Sequence, residues 1–246
     1  MANVKKKLKW FGRYVWEIFK ASLPSALMYL CAGLIMFMLM SKSDSESTEF
    51  KMVWGTSTKI WTIVCLVVVA AYNGLICWAH GGTHYEQLVS GNIKRSTEDA
   101  YGNPYKISSH KEAKEYRVWK GFAFGAFTAI LTIITGVVFG CMQKDIDANG
   151  LNAPTMICTL LSGWSVLPFY ASNFVDGTTI SYFITIAFAV VPVIISGVFY
   201  IIGAYARRNK TIRQQQIADQ QSKAEQNKPK KINYGGLPGT KPKQRK

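Results

Sequence analysis

The chain has 246 residues, 49% of them hydrophobic and 13% aromatic, with a formal net charge of +15 from 29 Lys/Arg against 14 Asp/Glu. Residues 23–40, 60–79, 122–141 and 180–203 contain no Asp, Glu, Lys or Arg. Runs of that length exclude an ordinary soluble domain, match the ~20-residue helix that crosses a ~30 Å hydrocarbon core, and leave the backbone little choice but helix.

The expected fold is therefore an all-α integral membrane protein with four transmembrane helices. Spans are expected at about 23–40, 58–79, 119–141 and 180–204, within a membrane domain 23–204. A basic helix (1–22) precedes it and a cytosolic segment (205–246) follows. Lys and Arg set the orientation. Residues 1–22, the connection 80–118 with the start of the third span, and everything after 203 hold 25 of them, and the other two connections hold four. Both termini are then expected in the cytosol.

In chain order, Leu8, Phe11, Tyr14, Val15, Ile18 and Phe19 recur at helical spacing, with Lys5, Lys6, Lys7, Lys9 and Arg13 around them and Trp10 and Trp16 at the flanks. That is the pattern of a basic amphipathic helix lying in the membrane interface; packing of the stripe on the protein's own helices is the alternative. Pro24 permits a bend, and the first span is expected to remain as a signal-anchor. The loop 41–58 is short and polar. Asn73, near the middle of the second span, is expected to hydrogen-bond a neighbouring helix.

The connection 80–118 opens with His80, Gly81, Gly82, His84 and Glu86. The glycine pair predicts a helix break as the chain leaves the membrane, and it disfavours the helical His-x-x-x-His geometry that zinc needs. No metal site or cofactor is expected. Ser90-Gly91-Asn92 with Lys94 and Arg95 fits lipid headgroup contact better than nucleotide binding, because neither phosphate-loop pattern is present. Lys111, Glu112, Lys114, Glu115 and Arg117 are expected to form a solvated charged face.

The third span carries Gly121-x-x-x-Gly125 and Gly136-x-x-x-Gly140, which let two helix backbones approach closely. Residues 154–174 are apolar but diluted by Ser, Thr, Asn, Pro and Gly. They are expected as a re-entrant or interface-lying segment on the outer face, with Trp164, Phe169 and Tyr170 at headgroup level. Cys141 and Cys158 are candidates for one disulfide there, or for two free thiols. Pro192 with Ser196 and Gly197 predicts a kink in the last span. Beyond it, Arg207, Arg208, Lys210 and Arg213 lie on a polar helix. Lys228, Lys230, Lys231, Lys241, Lys243, Arg245 and Lys246 lie in a Pro/Gly-rich tail too polar to fold.

No nucleophile with base and orienter is visible. The composition points to a non-enzymatic accessory or scaffold protein of a bacterial plasma membrane or, alternatively, the endoplasmic reticulum. Its basic residues would meet anionic headgroups or, through the tail, ribosomal RNA in membrane-protein biogenesis. Two alternatives stand beside it. One is a membrane subunit of a transport complex, with other membrane chains as partners. The other is a lipid-modifying enzyme resting on His80, His84, Glu86 and His110.

Overall fold

The structure, a computed structural model, describes residues 2–43, 50–97, 105 and 107–226. The tail cations from Lys228 onward lie outside the described residues, as do the side chains of Lys5 and Lys6. The chain forms two units, 1–207 and 208–246. The second is helical as far as Gln226, with most of its described side chains exposed.

The elements run α1 (Ala2–Met40), β1 (Ser41–Ser43), β2 (Phe50–Met52), α2 (Thr56–Ser96), α3 (Ser109–Glu112), α4 (Val118–Cys141), α5 (Gln143–Asn149) and α6 (Ala153–Asp176). A 3₁₀ segment, Tyr182–Ala189, then leads into α7 (Val190–Gln226). Among the described residues the regular structure is thus helical apart from one hairpin of two three-residue antiparallel strands, in which Ser41 faces Met52. Among the described residues, four helices are long and apolar enough to cross a membrane: Lys7–Met40, Thr56–Ser96, Val118–Cys141 and Tyr182–Lys223. Long-range contacts define the two ends of the bundle. Lys59 meets Asp176 and Tyr182 meets Asp147 at one end, while Arg95 meets Glu115 and Arg207 meets Glu86 at the other, basic end.

Three features correct the sequence reading. First, α2 does not break at Gly81-Gly82; it continues to Ser96. A Cβ on Gly81 would lie 2.0 Å from the carbonyl oxygen of Tyr200, and one on Gly203 would lie 2.0 Å from that of Trp78. The glycines are places where α2 and α7 touch backbone to backbone. The close approach supplies the reason for glycine, and the ~1 kcal/mol propensity cost is overridden by packing.

Second, the irregularity in the last span precedes Pro192. Eight residues are 3₁₀, and the α-helix starts at Val190. A proline clashes with the carbonyl four residues before it, so α geometry begins where Pro192 falls in the first turn. Third, α1 runs unbroken through Pro24.

The third-span glycines all meet the last span. Gly121 lies against Tyr200, Gly125 against the backbone of Pro192 and Val193, Gly136 against Thr185 and Ile186, and Gly140 against Phe183. Asn73 donates to Ser196 Oγ at 3.1 Å, tying α2 to α7 at the same level.

Segment 153–176 behaves unlike the others. A straight helix of its 24 residues would be about 36 Å long. Yet Leu151 and Met156 line the same cavity as Tyr170 and Phe174, and a Cβ on Gly150 would lie 3.8 Å from Tyr170 Oη. The helix therefore folds back on itself. The reversal is at Ser162, whose φ of −150° and ψ of 42° leave the helical region. The first arm descends along α4, with Thr135 donating to the Cys158 carbonyl at 3.4 Å and Thr132 meeting Ser162 at 3.0 Å. The second arm climbs along α1, from Trp164 beside Tyr29 to Leu167 and Ala171 in the cluster with Met36 and Met40. Neither arm is long enough to cross ~30 Å of hydrocarbon. The aromatic edge expected at headgroup level is instead core, with Trp164 3% and Tyr170 5% exposed. Cys141 and Cys158 are both free thiols.

Candidate functional site at the basic end of the bundle

The cations predicted to meet anionic partners divide into two groups. Lys7, Lys9, Lys94, Arg208, Lys210 and Arg213 are exposed, and Arg13 is half-buried. Arg95 and Arg207 are engaged: Arg95 donates two bonds to Glu115, at 2.8 and 2.9 Å, and Arg207 pairs with Glu86.

The charged segment before α4 is no solvated face. Glu115 is 4% exposed and sits over Gly91, where a Cβ would come within 2.6 Å of its carboxylate. That contact explains Gly91 better than a phosphate nest does. Tyr116 returns a backbone bond to the carbonyl of His84 at 3.0 Å, and its ring stacks on Tyr200. Burial pushes its phenol up, with Tyr205 adding in the same direction.

Lys120, one residue before the glycine motif, is the functional-looking side chain that sequence reasoning missed. It is 1% exposed, and its ammonium donates to the carbonyls of Ala113 and Glu115 at 2.6 and 2.5 Å. A buried ammonium persists only when such partners replace its water. The available signal was its position within one turn of an apolar run, where a lysine must either snorkel or find partners.

Lys120 and Arg117 also hold the N-terminal helix. The Lys120 ammonium lies 5.0 Å from the ring of Tyr14, and the Arg117 guanidinium lies 5.3 Å from Tyr14 and 5.8 Å from Trp10. Trp10 Nε1 donates to the Glu112 carboxylate at 3.3 Å and Tyr14 Oη to its carbonyl at 3.2 Å. One face of residues 7–22 is thus clamped to the loop before α4. The other face stays open: Leu8, Phe11, Val15, Trp16 and Phe19 are exposed, and Phe11, Gly12, Val15, Trp16 and Phe19 line a shallow apolar groove. The predicted stripe is divided, with Tyr14 buried, Ile18 half-buried against the core, and Leu8, Phe11, Val15 and Phe19 exposed.

His80 and His84 pack among aromatic rings. His84 is buried with its Nδ1 2.9 Å from Tyr200 Oη, and His80 packs on Phe124. Among the described residues no three His, Cys, Asp or Glu come together as a metal-binding group. Comparison of the chain with protein families, with curated proteins and with solved structures finds no match.

Proposed function

We propose that the chain is a non-enzymatic, four-span membrane scaffold whose basic end lies at the cytosolic face and engages anionic phosphate groups. The observation that carries this reading is the half-clamped N-terminal helix. Trp10 and Tyr14 lock one face to Glu112, Arg117 and Lys120. The exposed apolar face then sits beside Lys7 and Lys9, at the same end as the exposed Lys94. Such a face suits the boundary between acyl chains and headgroups, where each nearby cation adds ~1 kcal/mol on anionic lipid. Both termini are read as cytosolic, in a bacterial plasma membrane or, as the alternative, the endoplasmic reticulum. Arg208, Lys210, Arg213 and the cations from Lys228 to Lys246 extend the charge toward ribosomal RNA, in membrane-protein biogenesis.

The test compares the full chain with one ending at Ala206, extracted in mild detergent across a salt series. Ribosome recovery that needs the tail and falls steeply with salt supports the biogenesis role. Equal recovery by both chains sinks it. Retained phosphatidylglycerol counted by native mass spectrometry reads the lipid role. Lys7→Ala with Lys9→Ala is expected to lower that count, and an unchanged count argues against the clamped helix as a lipid surface.

A second reading, a membrane subunit of a transport complex, is favoured by α6. Its reversal at Ser162 is an interrupted helix of the kind tolerated at membrane depth only under protein cover or beside a water-filled cavity. Trp164 Nε1, two residues past it, is buried without a hydrogen-bond partner among the described residues. Uptake or leak by reconstituted vesicles that depends on Trp164 supports this reading, and tight vesicles under every candidate gradient count against it.

A further inference from the structure

At the end of the bundle away from the basic residues, the fold-back of α6 leaves a cavity of about 560 Å³. Phe37, Met52, Asp147, Gly150, Tyr170 and Phe174 line it. Its size falls among small-molecule sites, and its aromatic walls stand beside one exposed carboxylate, that of Asp147. Tyr170 and Phe174 stack with centroids 5.9 Å apart, so both rings stand on one side, and Phe37 comes in from α1. Gly150, at φ 77°, turns the chain between α5 and α6 and keeps that wall close to Tyr170 Oη.

Asp147 is the charged side chain among these lining residues. Its hydrogen-bond partner is the neutral hydroxyl of Tyr182 at 3.5 Å, and no salt bridge to it is present among the described residues. Two lysines of this end have described side chains, and those of Lys42 and Lys51 lie outside the described residues. Lys59 pairs with Asp176 at 3.1 Å and lies over Trp54, and Lys144 is exposed on α5. The connections 41–59 and 142–181 hold six Asp/Glu against four Lys, so this end is acidic in a chain of net charge +15.

We propose that this cavity binds a small organic cation, an alkyl- or arylammonium whose charged head meets Asp147 and whose body lies on Phe37, Tyr170 and Phe174. Aromatic faces carry negative quadrupole potential and attract desolvated ammonium groups, while the carboxylate supplies the matching charge. An anion would meet the Asp147 carboxylate, which no cation pairs with among the described residues. A divalent metal would find one carboxylate where it needs several oxygen ligands. The proposal is independent of the role assigned to the basic end, and its failure leaves that role untouched.

The test uses the full chain in lipid nanodiscs, with empty nanodiscs as the control for partitioning into lipid. Benzyltrimethylammonium, its neutral isostere neopentylbenzene and benzenesulfonate are compared by saturation-transfer NMR and calorimetry. Saturable binding of the ammonium alone is expected, weakened about tenfold or more by Asp147→Asn and severalfold by Phe174→Leu. Asp145→Asn removes the same charge two residues away, from a side chain that does not line the cavity, and is expected to leave binding unchanged. Circular dichroism checks that each variant keeps its helix content. Equal binding of the neutral isostere, equal loss in Asp145→Asn, or no saturable binding by the unaltered chain overturns the proposal.

Discussion

The seam between α4 and the last helix and the seam around α6 lie a few residues apart, yet they differ in chemistry: the second has one glycine contact, Gly33 with Gly163, and adds hydroxyls that the first does not rely on. Along the first, Gly121, Gly125, Gly136 and Gly140 remove side chains so that backbones and aromatic faces come into direct contact. In hydrocarbon, where no hydrophobic effect pushes helices together, that close van der Waals contact supplies much of the association. Along the second, hydroxyls add to the joining. Thr132 meets Ser162, Thr135 reaches the Cys158 carbonyl, and Ser165 returns to the carbonyl of Ser162 at 3.1 Å. A helix that reverses inside the bundle frees backbone groups at the break, and short polar side chains re-satisfy them. The lesson is that small residues in a membrane helix serve two separate ends: glycine shortens the distance between regular helices, and Ser or Thr makes an irregular one tolerable.

The largest expected effect that tests this contrast is a distance. With the five native cysteines replaced, Leu151→Cys and Phe174→Cys are expected to cross-link efficiently through a short bifunctional reagent. In an unbroken helix the same pair would be ~35 Å apart, at about 1.5 Å per residue. Failure to cross-link in a folded sample would erase the fold-back and the comparison with it.

Next in size is Gly81→Leu. Its Cβ has nowhere to go but into the Tyr200 carbonyl, so α2 and α7 must part. A loss of more than about 4 kcal/mol is expected, read by thermal or SDS-induced unfolding in detergent. Gly82→Ala is the control, since its Cβ meets nothing nearer than 3.6 Å and is expected to be nearly neutral. A smaller loss, about 2–3 kcal/mol, is expected for Lys120→Met, which leaves the carbonyls of Ala113 and Glu115 buried without a donor. Limited proteolysis near residue 10 should rise in the same variant, because Lys120 helps to hold Tyr14. The smallest effect belongs to Asn73→Leu, about 0.6 kcal/mol and at most about 1.7, the average and the maximum for interhelical hydrogen bonds in membranes. A larger loss there would mean that the polar bond, and not the glycine contact at Gly81, dominates the contact of α2 with α7.

How much of this was legible depended on the range of the interaction. The four apolar helices were legible because a run without charges over about 20 residues answers a local question about transfer into hydrocarbon. The double Gly-x-x-x-Gly was legible as close packing, though its partner was not. Gly81-Gly82 was misread as a break, because glycine is the same residue whether it weakens a helix or admits a neighbour. Only the carbonyl of Tyr200 facing it decides. Lys120 entered the sequence reading only in the count of Lys and Arg that sets orientation, and its burial follows from backbone carbonyls folded over it by the turn at Ala113–Glu115.

By itself, then, the sequence determined that the chain makes long apolar helices and gathers its cations into three segments, since hydropathy and charge are properties of single residues summed over short windows. The tertiary structure decided the rest. It turned residues 153–176 back at Ser162, split the stripe of α1 into a clamped and an open face, and left Asp147 at an aromatic cavity. Each of those outcomes depends on which groups, far apart in the chain, arrive to satisfy a backbone or a charge. No local window carries that information.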